Sequence, residues 1–154
     1  MFIGFIQLDY NLKQFNKEID DFVKTIPDQA VAIQKKIVLD ALTRIVLRTP
    51  VDTGRARGNW QVSIGAPIKD IIDDPRWKKK RESKSFQSRM KSRRSSDSKV
   101  INKANGILSK LPPYQQVWIS NNLNYIEGLE KGNSKQAPKG MVSITVEELR
   151  MIFQ

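Results

Sequence analysis

Residues 29–48 carry Ala30, Ile33, Ile37, Val38, Ala41, Leu42, Ile45 and Val46 in a sustained three-four repeat. That spacing places one apolar stripe along an α-helix, and a helix of this length spans about 30 Å. The rest of the chain has to supply what covers the stripe. Pro50 ends the helix, because the residue before a proline is pushed towards extended geometry. Upstream, Leu12, Phe15, Ile19, Phe22 and Val23 predict a helix over 12–25, with Pro27 as a break and Asp28 as the N-cap of the helix that follows.

Short strands are the natural partners for such a helix. From Asn59 to Gly65, Trp60, Val62 and Ile64 alternate with Gln61 and Ser63, which predicts a strand with an apolar inner face. Val117 to Ser120 predicts a second strand, and Asn121-Asn122 a turn after it. Met141, Ser143 and Thr145 alternate with Val142, Ile144 and Val146, which suits a third strand. Thr145-Val-Glu-Glu148 is also a capping-box pattern, so a strand running into a C-terminal helix is the alternative there. At 154 residues the chain reads as a single domain, 1–154. The opening Met-Phe-Ile-Gly-Phe-Ile-Gln-Leu8 is apolar but lacks the basic leader of a signal peptide. No apolar run approaches the roughly 18 residues of a membrane span.

Charge divides the chain unevenly. The net charge is +11, and the segment from Arg76 to Lys110 alone holds 13 of the 27 basic residues against two acids, Glu82 and Asp97. That leaves 14 basic and 14 acidic residues elsewhere, a neutral body. Residues 76–110 therefore read as a basic extended insertion, with 78–99 disordered or weakly helical in isolation. Lys78, Lys79, Lys80, Arg81, Lys84, Arg89, Lys91, Arg93 and Arg94 form an arm suited to polyanion contact or to docking on a protein partner. Trp77 stands at its base, and Phe86 and Met90 lie within it.

The sequence has no histidine and no cysteine. That removes the commonest general base at neutral pH and the usual zinc ligands. Asp52-Thr53-Gly54 matches the aspartic-protease triplet, but a protease needs two such loops sharing a proton. This chain has one copy, following a helix, with Arg55 and Arg57 placed to keep the aspartate ionised. A structural loop fits better: Pro50 stops the helix, Asp52 makes an Asx-type turn and Gly54 supplies a positive φ. Arg55, Arg57 and Trp60 allow a nucleic-acid contact by charge and stacking. The stronger reading makes Trp60 core and pairs the arginines with acids of the same or a neighbouring subunit. Glu127 and Glu130 lack a companion ligand motif and read as loop residues at a subunit interface.

Two segments, Thr49-Pro-Val-Asp-Thr-Gly-Arg-Ala-Arg-Gly-Asn-Trp60 and Trp118-Ile-Ser-Asn-Asn-Leu-Asn-Tyr-Ile-Glu-Gly-Leu-Glu-Lys-Gly132, with Ser134, Gln136-Ala-Pro138 and Gly140-Met141 after the second, together resemble the tail-completion or neck proteins of long-tailed bacteriophages, the family that includes minor tail protein Z. Residue 124 is Asn where that family often has Pro. The resemblance covers roughly 28–66 and 114–149 and skips the basic stretch. It implies an α+β domain, a long N-terminal amphipathic helix packed on a small, mostly antiparallel sheet. It implies a non-enzymatic virion protein without cofactor or metal, in a sixfold ring at the head–tail junction. The expected partners are neighbouring connector or tail-tube and terminator proteins, with genomic DNA in the lumen. Asp52, Thr53, Gly54, Arg55, Arg57, Trp60, Asn121, Asn122, Tyr125, Glu130 and Gly132 become motif-loop or subunit-interface residues. A basic, non-specific nucleic-acid-binding protein is the alternative.

Overall fold

The structure, a computed structural model, describes residues 3–75, 77 and 86–153, with side chains over 12–75, 77 and 97–153. Helix α1 runs Ile3–Arg48 without a break, 46 residues, or about 69 Å at the usual rise. Pro27 lies inside it, so the expected break and the Asp28 cap are not found. A proline frees the carbonyl four residues earlier, here that of Val23. Every residue from Leu12 to Ile26 is exposed, and water satisfies a carbonyl there at little cost.

The second half of α1 enters the core. Leu42 and Val46 are fully buried and Ile45 nearly so, with Val31, Val38 and Leu39 packed at the margin. Ile33, which the periodicity assigned to the buried stripe, is 56% exposed. After α1 come α2 (Arg55–Gly58), β1 (Gln61–Ile64), α3 (Phe86–Leu108), β2 (Val117–Ser120), α4 (Ile126–Glu130) and α5 (Val142–Ile152).

β1 and β2 form a two-stranded antiparallel sheet that pairs Gln61 with Ser120 and Ile64 with Val117. The architecture is α+β, a long helix on a small antiparallel sheet with further helices. Trp60 and Val62 turn into the core as the alternation predicted. Gln61 is buried as well, because its amide donates to the Asp70 carbonyl at 2.8 Å. A two-stranded sheet is marginal by itself; this one is held between α1 and α3.

Two sequence readings are corrected. Residues 86–108 of the expected extended arm are helical, and the end of that helix builds the body: Val100, Ala104 and Leu108 belong to the core. Their four-residue spacing is a helical face that the surrounding lysines and arginines hide in a composition count. Trp77, at the arm's base, is buried and lies against α2 so closely that a Cβ at Gly58 would meet its ring at 2.6 Å. The third strand is absent: 142–152 is helix α5. Thr145 is fully buried, and its hydroxyl donates to the Met141 carbonyl one turn back. Arg44 and Arg48 of α1 donate to the Glu148 carboxylate at 2.6 Å, and Arg48 also donates to the Thr145 hydroxyl. These hydrogen bonds, from Arg48 first and then Arg44, hold the Glu148 carboxyl below the ordinary glutamate range.

Exposure makes neighbouring leucines of α1 a direct test of this orientation. Leu42→Ala should cost about 2–5 kcal/mol of stability, the usual range for emptying a core site. Leu47→Ala, at a residue 56% exposed, should stay within about 0.5 kcal/mol. Urea unfolding of the two variants measures both; a larger loss at Leu47 than at Leu42 would mean that α1 is turned the other way.

Candidate functional site

The last carbonyls of a helix have no partner within it, and α1 meets this need with side chains from downstream. Arg57 Nε donates to the Thr49 carbonyl at 2.8 Å and Nη2 to the Leu47 carbonyl at 2.7 Å. Its Nη1 reaches Asp97 of α3 at 2.8 Å. The Thr49 hydroxyl, fully buried, donates to the Ile45 carbonyl and accepts from Trp60 Nε1 at 2.8 Å. Trp60 and Arg57 are therefore committed to the body. The pairing of an arginine with an acid of the same subunit is found, and Trp60 has no face free for a base.

Between α1 and α2 lies the Asp52-Thr53-Gly54 loop. Gly54 has φ +88°, as the turn required. The side chain that closes the turn is Thr53, whose hydroxyl accepts from the Arg55 amide at 3.3 Å. Asp52 is exposed, and among the described residues its side chain makes no hydrogen bond. The Asx turn expected of Asp52 is corrected accordingly.

The second motif segment comes back against the first. Gln136 binds Val51 through both its amide atoms, accepting from Val51 N at 3.1 Å and donating to Val51 O at 3.4 Å. Asn121 donates to the Ala56 carbonyl at 2.9 Å and accepts from Leu123 N in the expected turn. Asn122 straps the 66–70 loop through the carbonyls of Ile68 and Asp70. Both asparagines are thus used within the chain.

Glu130 is an internal cap. Its Oε2 accepts from the Met141 and Val142 amides at 2.8 Å each, and its Oε1 from the Ser143 amide at 2.9 Å and the Ser143 hydroxyl. The carboxylate satisfies the free N–H groups at the start of α5 and complements its dipole. Partial burial opposes its ionisation, but the Ser143 hydroxyl and the three amides outweigh that and hold its carboxyl below the ordinary range. Gly140 permits this approach: at φ +75°, a Cβ there would sit 2.4 Å from the Glu130 carbonyl oxygen. Gly132 closes the turn after α4.

A cleft of about 660 Å³ lies where the two segments meet. Asp52, Thr53, Arg55, Tyr125, Leu129, Ser134 and Gln136 line it, as do Asp73 and Trp77. Burial raises the Tyr125 phenol above its ordinary pKa, with Arg55 opposing and Asp52 adding to the shift. Arg55 Nε is buried without a hydrogen-bond partner among the described residues. Of the arm, Lys78, Lys79, Lys80, Arg81 and Lys84 lie outside the described residues. Arg89, Lys91, Arg93 and Arg94 lie on α3, outside the part whose side chains are described. Among the described residues no cluster of acidic side chains is gathered to hold a metal, and no helix is long and apolar enough to cross a membrane. In comparisons with known proteins, no family model, no curated protein and no solved structure matches the chain.

Neutralisation should matter at Glu130 and not at Asp52. A carboxylate whose folded pKa is depressed adds stability above its unfolded pKa, and that stability is lost as pH falls through the folded value. Glu130→Gln should therefore lower stability at neutral pH by about 1 kcal/mol, as a lost cap does, and flatten the acid side of the stability–pH curve. Asp52→Asn and Asp52→Ala should both stay within about 0.5 kcal/mol. Unfolding between pH 3 and 7 distinguishes the two sites.

Proposed function

We propose that this chain is a virion structural protein of a long-tailed bacteriophage, at the head–tail junction or the head-proximal end of the tail. In this reading it is a non-enzymatic ring component around the DNA channel, with six copies favoured. The observation that carries the proposal is the convergence of the two motif segments. Residues 49–60 and 118–141, which bear the resemblance to tail-completion proteins, are joined by the Val51–Gln136 and Ala56–Asn121 hydrogen bonds. Between them they form the cleft at the end of the long helix. Residues remote in sequence but joined in space are expected of a motif that serves one structural purpose.

The role is mechanical and electrostatic. The body supplies a rigid, charge-neutral wedge, and the cleft offers Arg55, Asp52 and Tyr125 to an adjoining subunit or ring. The basic segment contributes the whole net charge and faces either DNA in the lumen or the next ring. That same charge favours the second reading, a non-specific nucleic-acid binder without ring assembly, since clustered Lys and Arg bind phosphate without regard to sequence.

Mass measurement and a symmetry-free reconstruction of the assembled particle should give a closed cyclic ring; an open array or a lone dimer would rule it out. Replacing Arg89, Lys91, Arg93 and Arg94 together by Gln should leave folding intact, because Asp97, Val100, Ala104 and Leu108, which tie α3 to the body among the described residues, are kept. DNA contact predicts that this variant loses DNA retention, with an affinity in the parent that falls steeply with salt. Protein docking predicts retention of function.

A further inference from the structure

Residues 12–26 of α1 stand outside the body, with an apolar stripe that nothing among the described residues covers. Leu12, Ile19, Ile26 and Ile33 recur every seven residues, and Phe15, Phe22 and Gln29 follow each at the fourth place. The same register continues upstream in the sequence through Phe5 and Leu8. This is the a/d pattern of a coiled coil over four heptads. Leu12 is 54%, Phe15 58% and Phe22 60% exposed. The body cannot reach this stripe: Val31, Val38 and Ile45, which pack on the core, occupy f positions of the same register, on the opposite side of the helix.

We propose that this half of α1 pairs with the same helix of a second copy of the chain, as a parallel two-stranded coiled coil. Leu12, Ile19, Ile26 and Ile33 hold the a positions and Phe15, Phe22 and Gln29 the d positions of the seam. Parallel alignment sets Gln29 against Gln29 of the other copy, so one polar layer is matched. Antiparallel overlap sets it against Leu12 and leaves its amide unsatisfied. The flanking positions agree: Glu18 meets Val23 and Thr25 meets Ala30 across a parallel pair, so no like charges oppose. The charged residues Lys17, Lys24 and Asp21 lie on the outer face, Lys24 beside Asp21 at 3.6 Å. Leu12, Phe15, Ile19, Phe22, Ile26 and Ile33 all leave more than a third of their surface in solvent, a continuous apolar seam of the kind that marks a protein–protein contact. The pairing stands independently of the phage reading, since it is a property of the purified chain.

The absence of cysteine gives a clean background for a test in the full-length protein. Gln29→Cys should crosslink to a dimer almost completely under mild oxidation at micromolar concentration, while Lys24→Cys, on the outer face, should not. Sedimentation should show the parent as a dimer or a multiple of one. Phe15→Glu with Phe22→Glu should be monomeric, with its core unfolding unchanged, because neither residue touches the body. A monomeric parent would mean that a different protein covers the stripe. A dimer that resists crosslinking at Gln29→Cys would exclude the parallel register, and equal crosslinking of both cysteine variants would reflect collision. Each of these overturns the proposal.

Discussion

The end of a long helix leaves carbonyls that must find donors, and in this fold one guanidinium serves two of them while it binds the next long helix. Arg57 bonds to two carbonyls at the C-terminus of α1 and to Asp97 of α3, with both charged side chains largely buried. A planar fork with donors in fixed directions can do this; an ammonium on a flexible stem cannot hold three directions at once. The geometry fixes where α2 sits, and so where β1 begins. Thr49, bonded by Arg57 at its carbonyl and by Trp60 at its hydroxyl, ties the strand to the same point. Helix, loop, strand and second helix are located by a single knot of polar atoms, around which Leu42, Val46 and Leu108 pack.

How much of this was legible in sequence depends on the range of the deciding interaction. The stop at Pro50, the positive φ at Gly54, the Trp60–Val62 inner face and the turn at Asn121 are local consequences of backbone sterics and alternation, and the structure has them. Pro27 misled because the rule that proline ends helices assumes that the freed carbonyl has no solvent. In an exposed helix it does. Residues 141–146 alternate as a strand should, yet the Glu130 carboxylate waits at the N-terminus of α5, eleven residues upstream of its first partner. An acceptor placed by tertiary structure can settle a helix that period alone leaves ambiguous. Asp97, counted as one of two acids in a basic run, proved to be the partner of Arg57, 40 residues away. The Gln136–Val51 clasp carries no local signal, since glutamine has no positional rule comparable to that of glycine or proline.

The charge distribution follows from the same economy of contacts. Within the body, Arg44, Arg48 and Arg57 are matched by Asp40, Glu148 and Asp97. The match is made where side chains are partly or largely buried and an unpaired charge would be costly. The surplus of +11 is left to 76–110, which enters the core through its last turns and contributes Asp97 to the central knot. The basic segment is thus continuous with a core helix.

Helix α1 carries two apolar stripes that lie on opposite sides. The exposed one ends at Ile33 and the core-facing one begins at Val31, so the exchange takes place within a single turn. Beyond it, the a/d positions become Lys36 and Asp40, and the exposed seam stops where the body begins. A helix with one continuous stripe would have to choose between its own core and an outside partner. Opposed stripes remove that competition, because burial on one side leaves the other side unchanged. A continuous helix of this length can then join a folded body to a second chain without either contact weakening the other. Among the described residues the core is built from Val31 onwards, and an exposed helix upstream of it gains what tertiary stability it has from whatever packs against its apolar face.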